Sequence, residues 1–205
     1  IVGSYHTIMV SGGIDLYLSQ SASEGIAVSA VEDEYKMNIK TEIENNVLKI
    51  YYQGDKGWNL KDRKLKVYVS CKDLQQLQAS GSSDINVSGK IVSPSLVIKL
   101  SGASDFNGAV EVSFLQMHLS GASDVTIVGT ARDVVINSSG ASDVNGFKLI
   151  TESCTAKASG ASDITLTVNK ELFAQASGSS EIYYRGPAHI KEAQKSGSSS
   201  IGRKG

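Results

Sequence analysis

The sequence predicts an all-β protein, a right-handed parallel β-helix built as a single-stranded solenoid with about 19–20 residues per coil and an irregular N-terminal β cap. Three observations carry this expectation. A five-residue phrase recurs at nearly constant spacing, an apolar alternation of period two runs up to and past each copy, and the composition is rich in β-branched residues and turn formers.

The phrase is Ser-Gly-Ala/Ser-Ser followed by Asp, Glu or Ser, and its copies begin at Ser80, Ser101, Ser120, Ser139, Ser159, Ser177 and Ser196. Successive starts differ by 21, 19, 19, 20, 18 and 19 residues. A repeat of this length describes a stack of similar coils rather than a globule organised around a single site.

Each coil is read outward from its phrase. Around the second copy Leu96, Ile98, Leu100, Gly102, Ser104 and Phe106 share one parity, and Val97, Lys99, Ser101, Ala103, Asp105 and Asn107 share the other. The third copy puts Leu115, Met117, Leu119, Gly121, Ser123, Val125 and Ile127 on the first face. Such alternation is extended structure with one side buried, so Gly and the second Ser of the phrase are expected to point inward at a narrow bend. Just after the phrase stand Ile85, Phe106, Val125, Val144, Ile164, Ile182 and Ile201, which form a core ladder if coils stack in register. Two residues before it stand Gln78, Lys99, His118, Asn137, Lys157, Gln175 and Gln194, a solvated stripe. In-register parallel stacking places equivalent residues about 4.8 Å apart, and parallel crossovers favour the right hand.

Residues 1–65 are less regular. Tyr5 to Val10, Ile14 to Leu18, Ile26 to Val31, Lys36 to Thr41, Val47 to Tyr52 and Leu65 to Val69 alternate as strands do. Ser11-Gly12-Gly13-Ile14-Asp15 reads as a decayed copy of the phrase. Residues 1–65 are therefore expected to supply early coils and a cap, and residues 66–205 the regular repeats, in one continuous domain. Cys71 and Cys154 fall on inward parity, the first assigned to the coil that ends at Ser80. Four coil rises separate them by about 19 Å, so both are expected as buried free thiols.

Composition excludes several function classes. A net charge of -1 and no basic run argue against nucleic acid. No apolar stretch reaches the roughly 18 residues needed to span a bilayer. The chain opens at Ile1 rather than Met, which points to a removed leader and to export, and its two cysteines do not settle the compartment.

The sharpest candidates for chemistry are Asp84, Asp105, Asp124, Asp143 and Asp163, continued by Glu181 and lost at Ser200. Stacked carboxylates about 5 Å apart repel by roughly 1 kcal/mol even at the dielectric of water, so something must offset them. Two readings stay open: local backbone N–H groups and hydroxyls at the bend, or a row of cation or polar-ligand sites. Ser104, Ser123, Ser142 and Ser162 face inward without neighbouring His, which rejects a nucleophile reading in favour of a buried hydroxyl ladder. His6, His118 and His189 lie at unrelated registers and compose neither a metal set nor a triad. No catalytic residue, metal site or cofactor is assigned. Among the aromatic residues Tyr51, Tyr52, Trp58, Tyr183 and Tyr184, Trp58 is flanked by turn residues and is the best exposed ligand contact. A polysaccharide lyase or hydrolase would need a local, non-repeated acid cluster in a cleft, and coils this short leave little room for the loops that build one.

The Ser-Gly-Ala-Ser-Asp series, preceded by Lys66-Val67-Tyr68-Val69 and Leu74-Gln75-Gln76-Leu77-Gln78-Ala79, resembles the bacterial family described as putative auto-transporter adhesin, head GIN domain. Ile8-Met9-Val10-Ser11-Gly12, Asp15-Leu16-Tyr17-Leu18 and Asn46-Val47-Leu48-Lys49-Ile50 extend the resemblance over nearly the whole chain. It implies a secreted or surface-attached β-helical protein, common among Bacteroides-like bacteria, and supplies no catalytic residues. The function expected is a non-enzymatic adhesin of the cell surface, periplasm or extracellular space that presents repetitive faces to a glycan or to a surface protein of host or bacterium. The alternative is a self-associating structural module, with Val97, Val135 and Phe173 as a lateral contact between identical copies.

Overall fold

The regular part of the chain forms long strands that each bend around most of a coil. The computed structural model describes residues 4–54 and 63–205. In chain order the strands are β1 (Thr7–Ser11), β2 (Asp15–Gln20), β3 (Gly25–Ser29), β4 (Ile39–Glu44), β5 (Val47–Tyr52), β6 (Lys66–Cys71), β7 (Gln76–Ser80) and β8 (Ile85–Leu100). Then come β9 (Phe106–Leu119), β10 (Val125–Ser138), β11 (Val144–Ala158), β12 (Asp163–Ala176), β13 (Glu181–Arg185), β14 (His189–Lys195) and β15 (Ser200–Arg203). One short helix, α1 (Asp33–Met37), lies between β3 and β4, where the sequence pattern had suggested the start of a strand.

Strands β8 to β12 pair in parallel, one coil above the next, and β13, β14 and β15 complete the stack. The register is the one the repeat requires. Ile85 faces Phe106, Phe106 faces Val125, Val125 faces Val144, Val144 faces Ile164, Ile164 faces Ile182 and Ile182 faces Ile201. The first six are fully buried and Ile201, in the outermost strand, is partly buried. Each added coil thus covers the open apolar end of the one before, and a single continuous core runs from Tyr5 to Tyr184.

Alternation holds on both sides of the phrase but changes phase elsewhere in the coil. In β11 the buried positions are Val144 and Gly146, then Leu149 and Thr151, then Cys154, Ala156 and Ala158. Register shifts between Gly146 and Ile150 and between Thr151 and Ser153 mark the two places where the strand turns to a new face. Bulges of this kind bend a strand without ending it.

The N-terminal region is threaded rather than simply stacked. β1 and β2 form a coil whose upper side pairs with β7 and β8, and whose lower side pairs with β5 and β6. The chain therefore begins between two coils that it makes later. Below them β4 runs antiparallel to β5 and β3 antiparallel to β6, so the lowest parallel strands are covered by reversed ones. This is the expected cap, and it blunts the edge on which another parallel coil could add. The threading also corrects the position of Cys71. That thiol lies on β6, beneath β2, so the steps from β6 through β2, β8, β9 and β10 to β11 put it about 24 Å from the Cys154 layer rather than 19. Both cysteines are free and buried, and burial pushes the Cys71 thiol up to about 11 and the Cys154 thiol higher still.

Candidate functional site

The phrase occupies the corner between two strands, where sheet pairing alone cannot satisfy every amide. At the third copy the N–H of Ser120 donates to Leu100 O at 3.1 Å and that of Ala122 to Gly102 O at 2.8 Å, both in the preceding coil. The next two amides use side chains. Ser123 N–H donates upward to Ser142 Oγ at 3.1 Å, and Asp124 N–H donates downward to Asp105 Oδ1 at 3.2 Å. Val125 N–H then resumes backbone pairing with Asp143 O at 2.8 Å.

The same arrangement repeats along the stack. Ser83, Ser104 and Ser142 N–H groups donate to the hydroxyls of Ser104, Ser123 and Ser162, and Asp105, Asp143 and Asp163 N–H groups donate to the carboxylates of Asp84, Asp124 and Asp143. The serines are buried, and their hydroxyls act as the acceptor column expected of them. The five aspartates do form one column, and its carboxylates from Asp84 to Asp143 accept amides of the corner. Asp163 is held above the ordinary carboxylate value, first by partial burial and then by Asp143 and Glu181 on either side. Among the described residues no group of three or more His, Cys, Asp or Glu side chains converges on a metal-sized site. Trp58 lies outside the described residues.

The glycine position differs from expectation. Gly102 is exposed rather than inward, and the strands stop at Leu100 and restart at Phe106. Its φ of +80°, repeated as +82° at Gly121, is what glycine supplies to the turn. A Cβ on Gly121 would stand 2.3 Å from Gly102 O. Stacked corners are therefore in backbone contact.

The series decays at both ends. Ser11 of β1 pairs with Ser80, which identifies Ser11-Gly12-Gly13-Ile14-Asp15 as the first corner. Gly13 and Ile14 N–H both donate to Ser83 Oγ at 3.1 Å. Ile14 stands where later corners carry Ser, and its side chain is fully buried. Ser200 stands where the other phrases carry Asp or Glu, on the outermost described strand, and its N–H donates to Ser180 O at 3.0 Å.

A concavity lies beside this corner, not on the Asp column. A groove of about 780 Å³ runs along the solenoid from Gln78 to Ser196. One wall is the stripe Gln78, Lys99, His118, Asn137, Lys157, Gln175 and Gln194, and the other carries the first serine of the last six phrases, Ser101, Ser120, Ser139, Ser159, Ser177 and Ser196. The strand ends between them, including Leu100, Leu119 and Ala158, form the floor. The left-handed glycine that follows each serine turns the chain sharply, which makes the outside of the coil re-entrant at this point. Gln116 Nε2 lies 2.7 Å from His118 Nε2 and fixes that ring in the wall. Sequence reasoning had identified the stripe as solvated surface; its lack of any acid in seven registers was the available sign that it differs from the other faces.

The proposed lateral contact is broken up by its neighbours. Val97, Val135 and Phe173 share a register, but Gln116 and Thr155 alternate with them. Of the aromatic candidates, Tyr184 is buried, Tyr51 donates to Glu42 Oε1 at 2.8 Å, and Tyr183 lies under the Lys204 ammonium at 3.8 Å.

A parallel β-solenoid with an axial polar groove and a side-chain-bonded corner is thus the class of molecule. The chain belongs to the family described as putative auto-transporter adhesin, head GIN domain, whose family model matches residues 4–188. Its fold is similar to that of a putative adhesin from Bacteroides fragilis, at 22% identity and a TM-score of 0.92 over 99% of this chain and 94% of the other. A putative adhesin from Parabacteroides merdae is 18% identical with a TM-score of 0.78, covering 100% of this chain and 93% of that one. A structure from Parabacteroides distasonis described as a putative lipid binding protein is 20% identical with a TM-score of 0.74, covering 100% and 94%. These likenesses establish the fold. No curated protein matches the chain. No helix among the described residues is long and apolar enough to cross a membrane.

Proposed function

We propose that this protein is a non-enzymatic, exported adhesin that holds a linear glycan lengthwise in its axial groove. The observation that carries this reading is the continuity of the groove, which presents a polar, non-acidic wall residue at every coil from Gln78 to Gln194 and the first serine of the phrase at every coil from Ser101 to Ser196. Amide, hydroxyl, imidazole and ammonium groups at a repeat of about 4.8 Å suit a polymer with regularly spaced hydroxyls better than a compact ligand. Family membership supports attachment to a surface as the task. The groove lining contains no Asp or Glu, so the pair of carboxylates that glycoside hydrolysis uses is not present there. The Asp column, whose carboxylates accept corner amides, is better read as part of the scaffold.

The test is a glycan array probed with the parent chain, with Asn137→Trp, which fills the groove at its middle, and with Thr130→Trp on another exposed face. Binding lost in the first variant and kept in the second supports the proposal. Equal binding by both places the contact elsewhere, and retention only of surface proteins in place of glycans overturns the ligand class.

A further inference from the structure

Charge on the groove is one-sided. Lys99, Lys157 and Lys195 line it together with His118, and no acid does. Elsewhere on the described surface five cations stand beside acids, Lys49 with Glu44, Lys90 with Glu111, Arg132 with Asp133, Lys170 with Glu152 and Lys191 with Glu171, whereas the groove gathers its cations with no acid in its lining. The three groove lysines are exposed and make no ion pair among the described residues. This asymmetry sits on a chain whose net charge is -1, so it is a local arrangement and not a consequence of basic composition.

The arrangement is also directional. Lys99 and Lys157 are three coils apart, about 14 Å, and Lys195 lies two coils further, about 10 Å. These spacings exceed the Debye length of about 8 Å at physiological salt, so each ammonium acts on its own segment of a bound chain. Between them Asn137, Gln175 and the serine wall supply neutral donors and acceptors. The acidic column stands on the other side of the corner, at the fifth position of the first six phrases, so opposite charges are segregated across it. Glu192 accepts from Gln194 Nε2 at 2.5 Å at the C-terminal end of the stripe.

Resting on the groove reading above, we infer that the glycan is a linear anionic polysaccharide, with its carboxylates or sulfates meeting Lys99, Lys157 and Lys195. An ammonium that approaches an anion in a partly desolvated groove gains more than at open surface, while neutral sugar hydroxyls between the charges keep the chain in register. Acidic polymers lying over the Asp column would be repelled, which confines them to one side of the solenoid.

Calorimetric titration of the full chain with polygalacturonate, alginate and hyaluronan, each beside its carboxyl-reduced form, tests this. The expected result is that at least one acidic polymer binds about tenfold or more tighter than its neutral counterpart, and that the preference shrinks as salt rises from about 0.05 to about 0.5 M. The double variant Lys99→Gln, Lys157→Gln is expected to lose about tenfold in affinity, and Lys148→Gln, an exposed lysine away from the groove, to lose nothing. Thermal melting confirms that both variants are folded. Equal binding of reduced and acidic polymers, abolished by Asn137→Trp, overturns the charge inference and leaves the groove reading standing. Acidic binding unaffected by the double variant, or no binding of any acidic polymer, overturns the inference. Asn137→Trp without effect on any glycan overturns the groove reading as well.

Discussion

The backbone N–H of Asp124 donates to Asp105 Oδ1 of the preceding coil at 3.2 Å, so a side chain replaces a carbonyl where two corners stack. The acceptor there is one oxygen, and an amide oxygen serves as well as a carboxylate oxygen. Asp105→Asn is therefore expected to stay within about 0.5 kcal/mol of the parent, because the bond is kept and repulsion along the column is relieved. Asp105→Ala removes the acceptor and is expected to cost about 1 kcal/mol, since water reaches this exposed position and replaces part of the bond. Urea denaturation of the two variants measures both. A large loss in the Asn variant would show that the negative charge itself is required.

The serine column should be less forgiving, because it is buried. Ser142 Oγ accepts the Ser123 N–H at 3.1 Å, and Ser142 itself is fully inaccessible. Ser142→Ala leaves that amide without its acceptor where water cannot enter, and is expected to cost about 1–3 kcal/mol. Ser83 accepts two amides, from Gly13 and Ile14, so Ser83→Ala is expected to fall at the upper end of that range. Loss of protection at Gly13 and Ile14 in amide hydrogen exchange would locate the effect.

Gly121 combines a φ of +82° with a site for Cβ only 2.3 Å from Gly102 O. Both terms act against a side chain, and the contacting atom belongs to a neighbouring corner rather than to a flexible side chain. Gly121→Ala is expected to destabilise by more than about 3 kcal/mol, beyond the ordinary range for single substitutions. Gly25→Ala, whose Cβ would meet nothing within 4 Å, is the matched control and is expected to be near neutral. Comparison of the two denaturation midpoints separates a requirement for glycine from a general preference.

What the sequence makes legible here is what repetition makes redundant. The ladder from Ile85 to Ile201 recurs at one register, so an error at one coil is corrected by the others, and stacking order and core followed directly. Gly102 was misplaced because alternation was carried through a corner where the backbone is not extended; its buried neighbours Leu100 and Ser104 keep the parity on either side of it. The placement of β1 and β2 between β5–β6 and β7–β8 is a long-range pairing choice that no local period encodes, and with it went the layer of Cys71. The groove was missed for a related reason. Its wall residues were visible as a stripe, but concavity arises from the turn at each left-handed glycine, and shape of that kind is not a property of residue type.

The electrostatics of the Asp column make a pH dependence opposite to that of most paired carboxylates. Partial burial, with Asp143 and Glu181 alongside, raises the Asp163 carboxyl above its ordinary value, and burial raises Asp15 at the other end of the column. A raised folded-state value means that the folded chain holds these protons more tightly than the unfolded chain. Stability from this source is then greatest below the unfolded value of about 3.9 and declines as pH rises through the raised folded values, after which it is flat. Glu44, lowered by its bond to Lys49, contributes the reverse slope, so the parent profile alone does not isolate the column. The double variant Asp15→Asn, Asp163→Asn removes the two raised groups and leaves the Glu44 pair untouched. The difference between parent and variant, measured as urea midpoints from about pH 3 to pH 7, is expected to grow in favour of the variant as pH rises across the window above the unfolded value. A difference that shrinks with rising pH would mean that the carboxylates are stabilised as anions, and would return the column to consideration as a cation-binding surface.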